Sequence, residues 1–212
     1  MNRASGVLMH VSSLFGDYSA GSFGRAAQYF IDFLADSGFS YWQVLPFNMA
    51  DDCNSPYKSF GAFSGNPYFI DLEILHVKGL INVSELLASR QNTPYSCEFE
   101  RLERERMPLL RLAASRADEK ERTLVAAFIE AHPSVADFCR FMALKEANGG
   151  AEWIDWSTNR YAEEALFVWQ FIQYEFYSQW LRVKSYANER GVRIIGDIPI
   201  YVSDDSCDVW EN

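Results

Sequence analysis

The amino-acid sequence predicts an α/β protein in which parallel strands alternate with helices and a large helical insertion interrupts them. Three observations predict it. Short, nearly continuous apolar runs of strand length recur at residues 5–11, 41–47 and 192–198, the pattern of strands buried on both faces of a parallel sheet. Helical periodicity separates the first two runs and leads into the third. The helix-to-strand joints are tight, whereas the strand-to-helix connections are long and polar, as in folds that work at the carboxyl ends of their strands.

SGVLMHV (5–11) is the first expected strand. Gly16, Gly21 and Gly24 mark the loop behind it. Ser22 is the expected N-cap of a helix on which Phe23, Ala27, Phe30 and Leu34 recur at helical spacing, and Gly38 stops it. YWQVLPF (41–47) is the second strand, ended by Pro46. Strand, helix, strand of this kind makes a βαβ unit with parallel strands.

Residues 48–71 form a polar stretch punctuated by Gly and Pro, longer than a connecting loop normally is unless it is functional. Residues 101–116 are helical in composition but expected to break near Pro108. Further helices are expected at 119–131 and 135–147, the latter with Val135, Phe138 and Met142 inward and Gly149-Gly150 as its stop. The expected organisation is a first βαβ unit with its long loop (1–71), a mainly helical insertion (72–160), and a long helix with a third strand (161–212). On helix 162–190, Ala165, Trp169, Ile172, Phe176, Trp180, Val183 and Ala187 step by three or four, and Leu166, Tyr174, Tyr177 and Leu181 add a second apolar edge. Such a helix is covered on two sides. Gly191 ends it, and VRIIGDI begins the third strand. Three strands do not close a barrel, which takes ~250 residues for eight strand–helix units. The pattern fits a small open sheet or the front part of a larger fold, and a sequence that stops in a loop just past a strand favours the front part.

Of the 212 residues, 49% are hydrophobic, enough for a substantial core. The net charge of −10 argues against nucleic acid and anionic membrane as partners, since both would be repelled. Aromatic residues make up 16% of the chain, a high share; they fill cores first, and sugar-binding clefts also use such flat faces. The scattered Cys53, Cys97, Cys139 and Cys207 offer neither a disulfide framework nor zinc spacing, and are expected as reduced thiols. Without a signal-peptide pattern or a run of ~20 apolar residues, the chain is expected to be cytoplasmic.

Asp197 stands at the tip of the third apolar run and is expected to point into the site; its alternative role is to accept backbone N–H groups from the next loop. Asn54-Ser55-Pro56-Tyr57 can offer an amide, a hydroxyl and a flat ring to a polyhydroxylated ligand, or be a turn whose tyrosine merely packs. Gly65-Asn66-Pro67 reads as turn chemistry. His10 reads as a core histidine rather than a base. Asp51-Asp52, Asp204-Asp205 and the charge run RLERER (101–106) read as solvated. Retaining glycosyl transfer needs two carboxyl groups ~5–5.5 Å apart, and Asp197 has no strand-end companion.

GVLMHVSSL, YWQVLPF, NSPYKSFGAFSGNPYFIDL, FMALK followed by GG, and IIGDIPIYVSDDSCDVW resemble the 4-α-glucanotransferases (amylomaltases, or disproportionating enzymes), in order and along nearly the whole chain. The resemblance implies an incomplete (β/α)8 TIM-type barrel, its first strands carrying a helical insertion. It implies transfer of α-1,4-glucan segments to another glucan or to glucose, with no cofactor. It places the nucleophilic aspartate, the acid/base glutamate and a third essential aspartate on later strands beyond Asn212, so that this chain is the N-terminal portion and holds none of them. By position, Ser55 and Tyr57 match residues lining the sugar subsite beside the cleaved bond, and Asp197 matches an aspartate supporting it. Two departures stand out: Leu14-Phe15-Gly16 where the family has Leu-Pro-Gly, and an acidic, cysteine-containing stretch 49–54 where it is glycine-rich. The alternatives are a non-catalytic glucan-binding or decayed truncated product, and an unrelated α/β enzyme.

Overall fold

The structure, a computed structural model, describes residues 3–50 and 55–211. The chain divides into two compact units. One comprises Met1–Pro46, Tyr68–Leu109 and Phe176–Asp197; the other Phe47–Pro67, Leu110–Glu175 and Ile198–Asn212.

The first unit carries a parallel sheet in the order β1 (Gly6–Leu8), β2 (Tyr41–Gln43), β3 (Arg193–Ile195). Its rows are Gly6–Tyr41–Arg193, Val7–Trp42–Ile194 and Leu8–Gln43–Ile195. Helix α1 (Arg25–Asp36) buries Ala27 and Leu34 as expected, and Ile31 besides, while Phe30 is half-buried. Burial of Ile31 and of Leu34 contributes ~1.5–3 kcal/mol each relative to exposure. Trp42 is fully buried, its indole N–H donating to the Met9 carbonyl at 2.7 Å and its ring 5.2 Å edge-on from Phe30. Helix α2 (Leu72–Val77) starts on Asp71, whose carboxylate accepts from the Ile74 N–H at 3.0 Å. Helix α3 (Val83–Ala88) starts on a reciprocal cap between Asn82 and Glu85. Helix α4 (Phe99–Ser115) carries residues of both units.

In the second unit, helices α5 (Glu119–Ala131) and α6 (Pro133–Ala147) precede α7 (Glu163–Glu189), which ends one residue inside the expected 162–190 on each side. Val135, Phe138 and Met142 are buried as their spacing requires. Gln173, fully buried on α7, accepts from the Gly65 N–H at 2.7 Å and donates to its carbonyl at 3.0 Å. The short helix α8 (Cys207–Glu211) brings Trp210 to Phe141 and Trp156, ring centroids 5.8 and 5.9 Å away. The C-terminal part of α7 belongs to the first unit, where the Tyr186 hydroxyl donates to Asp32 at 2.7 Å. Gly191 behind it takes φ +77°, the left-handed stop its position calls for.

Four expectations are corrected. The strands are short and covered on one face only. Trp42 is buried, but Leu8 and Ile195 are 56% and 43% exposed, because a run such as SGVLMHV fixes where apolar residues sit and not how many layers cover them. Ser22 does not cap α1; Gly24 holds that place, and the Ser22 hydroxyl donates to Asp71 at 2.7 Å. Pro108 does not break α4, since its ring faces the exposed side, where water can take up the carbonyl it frees. RLERER is not a solvated face, because Leu102 and Arg106 are buried.

Candidate functional site

Three segments of the second unit converge on a cleft of about 380 Å³ lined by Tyr57, Lys58, Glu152, Tyr201, Val202, Ser203, Asp204 and Asp205.

The first wall is the turn at Ser55. The Lys58 N–H donates to the Ser55 carbonyl at 3.1 Å, and the Ser55 hydroxyl oxygen accepts from the Tyr57 N–H at 3.4 Å. Ser59 behind it is fully buried, bridges Ala50 antiparallel and donates its hydroxyl to the Gly61 carbonyl at 3.3 Å. Anchored there, the turn projects Tyr57, which is 47% exposed.

The second wall follows α6, where Gly149 and Gly150 both take positive φ and turn the chain back. Glu152 stands exposed at its rim, and Trp153 is held from the third wall. There the Asp205 carboxylate accepts from the Trp153 N–H at 3.1 Å, and the Asp204 carbonyl accepts from the Trp153 indole N–H at 2.8 Å. The third wall, residues 201–205, presents the exposed Tyr201 ring.

Asp205 corrects the expectation of a solvated pair: it forms an ion pair with the buried Lys145, and only Asp204 is exposed. Among the described residues, the exposed carboxylates that line the cleft are Glu152 and Asp204. Two flat rings beside acceptor oxygens and a hydroxyl are the combination that holds a neutral, hydroxyl-rich ring by stacking and hydrogen bonding.

Ser55 and Tyr57 thus share one turn of the second unit. Asp197 belongs to the first unit, half-buried two residues past β3. His10 packs edge-on against Phe69 at 5.2 Å, and burial lowers its pKa to about 4, so it is a neutral core residue near pH 7. Asn66 is buried, its N–H donating to the Phe47 carbonyl at 2.9 Å, which is the structural role expected of its turn. Asp51, Asp52, Cys53 and Asn54 lie outside the described residues. Sequence reasoning missed Tyr201, Glu152 and Lys145. Only Lys145 left a signal, sitting three residues past Met142 on the inward stripe of α6. Among the described residues no three His, Cys, Asp or Glu side chains could hold a metal ion, and no helix is long and apolar enough to cross a membrane.

A family model described as 4-alpha-glucanotransferase matches residues 9–212. A 4-alpha-glucanotransferase of Clostridium butyricum is 40% identical over 223 residues, which are 96% of this chain and 45% of the relative. One from Streptococcus pneumoniae is 38% identical over 99% of this chain and 45% of its own length. The solved amylomaltase of Streptococcus agalactiae, in complex with acarbose, matches at a TM-score of 0.90 and 36% identity, over 99% of this chain and 46% of that one. The amylomaltase of Corynebacterium glutamicum, 17% identical, shares the fold at a TM-score of 0.77. The chain spans less than half the length of these relatives. It belongs to the 4-alpha-glucanotransferase family, of which it is an N-terminal portion.

Proposed function

We propose that this chain is the N-terminal part of a cytoplasmic 4-alpha-glucanotransferase that passes α-1,4-glucan segments to another glucan or to glucose by retaining double displacement. In this reading it supplies walls of the glucan site and none of the covalent chemistry. A retaining mechanism places a nucleophilic carboxylate and an acid/base carboxyl ~5–5.5 Å apart; both belong to later strands outside this chain. Tyr57 offers a stacking face to one sugar ring and the Ser55 hydroxyl bonds to it, while Asp197, in the first unit, serves as a glucan-supporting carboxylate. The reaction calls for no cofactor.

The observation that carries the reading is the cleft itself, where Tyr57 projects from an anchored turn toward a wall bearing Tyr201. A second observation supports the incomplete (β/α)8 barrel. Parallel sheets are normally covered on both faces, yet Leu8, Arg193 and Ile195 stand exposed on one face of this one. In the barrel reading that face looks inward.

The test is incubation of the purified chain with maltotriose, following glucose release and, separately, binding by ligand-observed NMR. Binding without glucose release is expected. Release of glucose would place working acids within these residues and overturn the division of labour. Absence of any binding at tens of millimolar, the range of a weak ~2–3 kcal/mol site, would sink the glucan reading.

A further inference from the structure

We propose that Lys145 is the positioning residue of this cleft: its ammonium ties the three wall segments to one another and thereby sets the cleft's affinity without touching the ligand. The inference rests on the glucan reading and goes beyond it.

Lys145 lies in the last turn of α6, 8% exposed, on the stripe of Val135, Phe138 and Met142. A methionine would fill that place at no desolvation cost. An ammonium withdrawn from water is tolerable only if its donors are used, and each contact here leads to a different wall. Its Nζ donates to the Ala151 carbonyl at 3.1 Å, and Ala151 directly precedes Glu152. It pairs with the Asp205 carboxylate, the end of segment 201–205. It faces the Phe60 ring at 4.9 Å from the centroid, two residues beyond Lys58. The tie is then doubled. The other Asp205 oxygen accepts from the Trp153 N–H at 3.1 Å, and the Trp153 indole donates to the Asp204 carbonyl at 2.8 Å. A neutral side chain cannot gather a carbonyl, a carboxylate and a ring face from three loops at one point. Without the cation the walls lose their common anchor, and a ligand must order them as it binds.

The experiment uses the full chain with maltotriose as the probe. It measures the dissociation constant, the melting temperature, and hydrogen exchange of the Trp153 indole and the 201–205 amides in the ligand-free protein. Lys145→Met should weaken maltotriose binding roughly tenfold or more, the scale of several newly mobile side chains, and should speed exchange at Trp153 and 201–205. Lys145→Gln, which keeps a donor, should fall between, and serves if the methionine variant fails to fold. Tyr57→Ala should lose affinity with exchange at 201–205 unchanged. A Lys145→Met variant that melts lower yet binds within twofold of the parent, its exchange unaltered, would reduce Lys145 to a core residue and overturn the proposal. If the parent itself fails to bind, the glucan reading falls, and the exchange measurement still decides whether Lys145 holds the walls.

Discussion

The Arg106 guanidinium donates to the Ile70 carbonyl at 2.7 Å and, with its other arm, to the Tyr18 carbonyl at 2.8 Å, while only 4% of the residue is exposed. It clamps two loops of the first unit from inside. Burial lowers its pKa to about 10, so it remains a cation at neutral pH. Arg106→Met would remove two charge-assisted bonds and leave the buried Ile70 carbonyl and the part-buried Tyr18 carbonyl without them. The expected loss is about 3 kcal/mol, read as a shift in urea midpoint at constant m-value. Arg106→Lys should recover only part, because an ammonium lacks the planar fork that reaches both carbonyls. A loss below ~1 kcal/mol would mean that water replaces the clamp.

Gln173 and Gly65 form a two-way pair, each donating to the other inside the second unit. Gln173→Leu keeps the volume and strands one N–H and one C=O. It should cost about 2–4 kcal/mol, with faster hydrogen exchange at Gly65. The Gly65 amide is the better reporter, because a simple packing loss would leave it protected.

His10 makes stability pH-dependent in a defined window. Its pKa falls from 6.5 in the unfolded chain to about 4 in the fold through burial. The unfolded state therefore binds the proton more readily, and stability present above pH 6.5 is lost as pH falls toward 4. The contribution is on the order of 3 kcal/mol at most. His10→Gln should flatten that part of the profile, and an unchanged slope between those pH values would place the acid sensitivity elsewhere.

Much of this was legible in the sequence, and the rest failed for identifiable reasons. Helix α7 was bounded to within a residue because its apolar ladder is unbroken and Gly191 stops it. Helices α2 and α3 went unread although Asp71 and the Asn82–Glu85 box are ordinary start signals, because each helix is only six residues long. Arg106 was read as solvated by residue type, and Lys145 was passed over. Arg106 continues the buried ladder of Leu102, Leu109 and Ala113, and Lys145 that of Val135, Phe138 and Met142. Spacing, given precedence over charge, would have put both inside. The meeting of Tyr57, Glu152 and Tyr201 had no local signal at all, since they come from three loops far apart in sequence.

The uncovered sheet face should make the chain associate. Leu8 and Ile195 flank Gln43 in one row, and β1 and β3 are the outer strands. Exposed apolar rows beside unpaired strand edges recruit other strands. Sedimentation should show concentration-dependent self-association, relieved by Leu8→Thr with Ile195→Thr while the circular dichroism spectrum holds. A chain that stays monomeric at high concentration would show that this face needs no cover.

Tyr57 and Tyr201 give the sharpest division between ligand contact and packing. Tyr57 is 47% exposed and Tyr201 79%, and both line the cleft. Truncating an exposed ring moves stability by no more than about 0.5 kcal/mol, whereas losing a stacking face costs a sugar ligand up to ~1.5 kcal/mol, or roughly tenfold in affinity. Tyr57→Ala and Tyr201→Ala should therefore each weaken maltotriose binding with the melting temperature nearly unchanged. Tyr57→Phe should retain most of the affinity, because the ring face and not the hydroxyl makes the stacking contact. If Tyr57→Ala lowers the melting temperature and leaves binding intact, the ring serves the turn and the cleft takes its ligand by other groups.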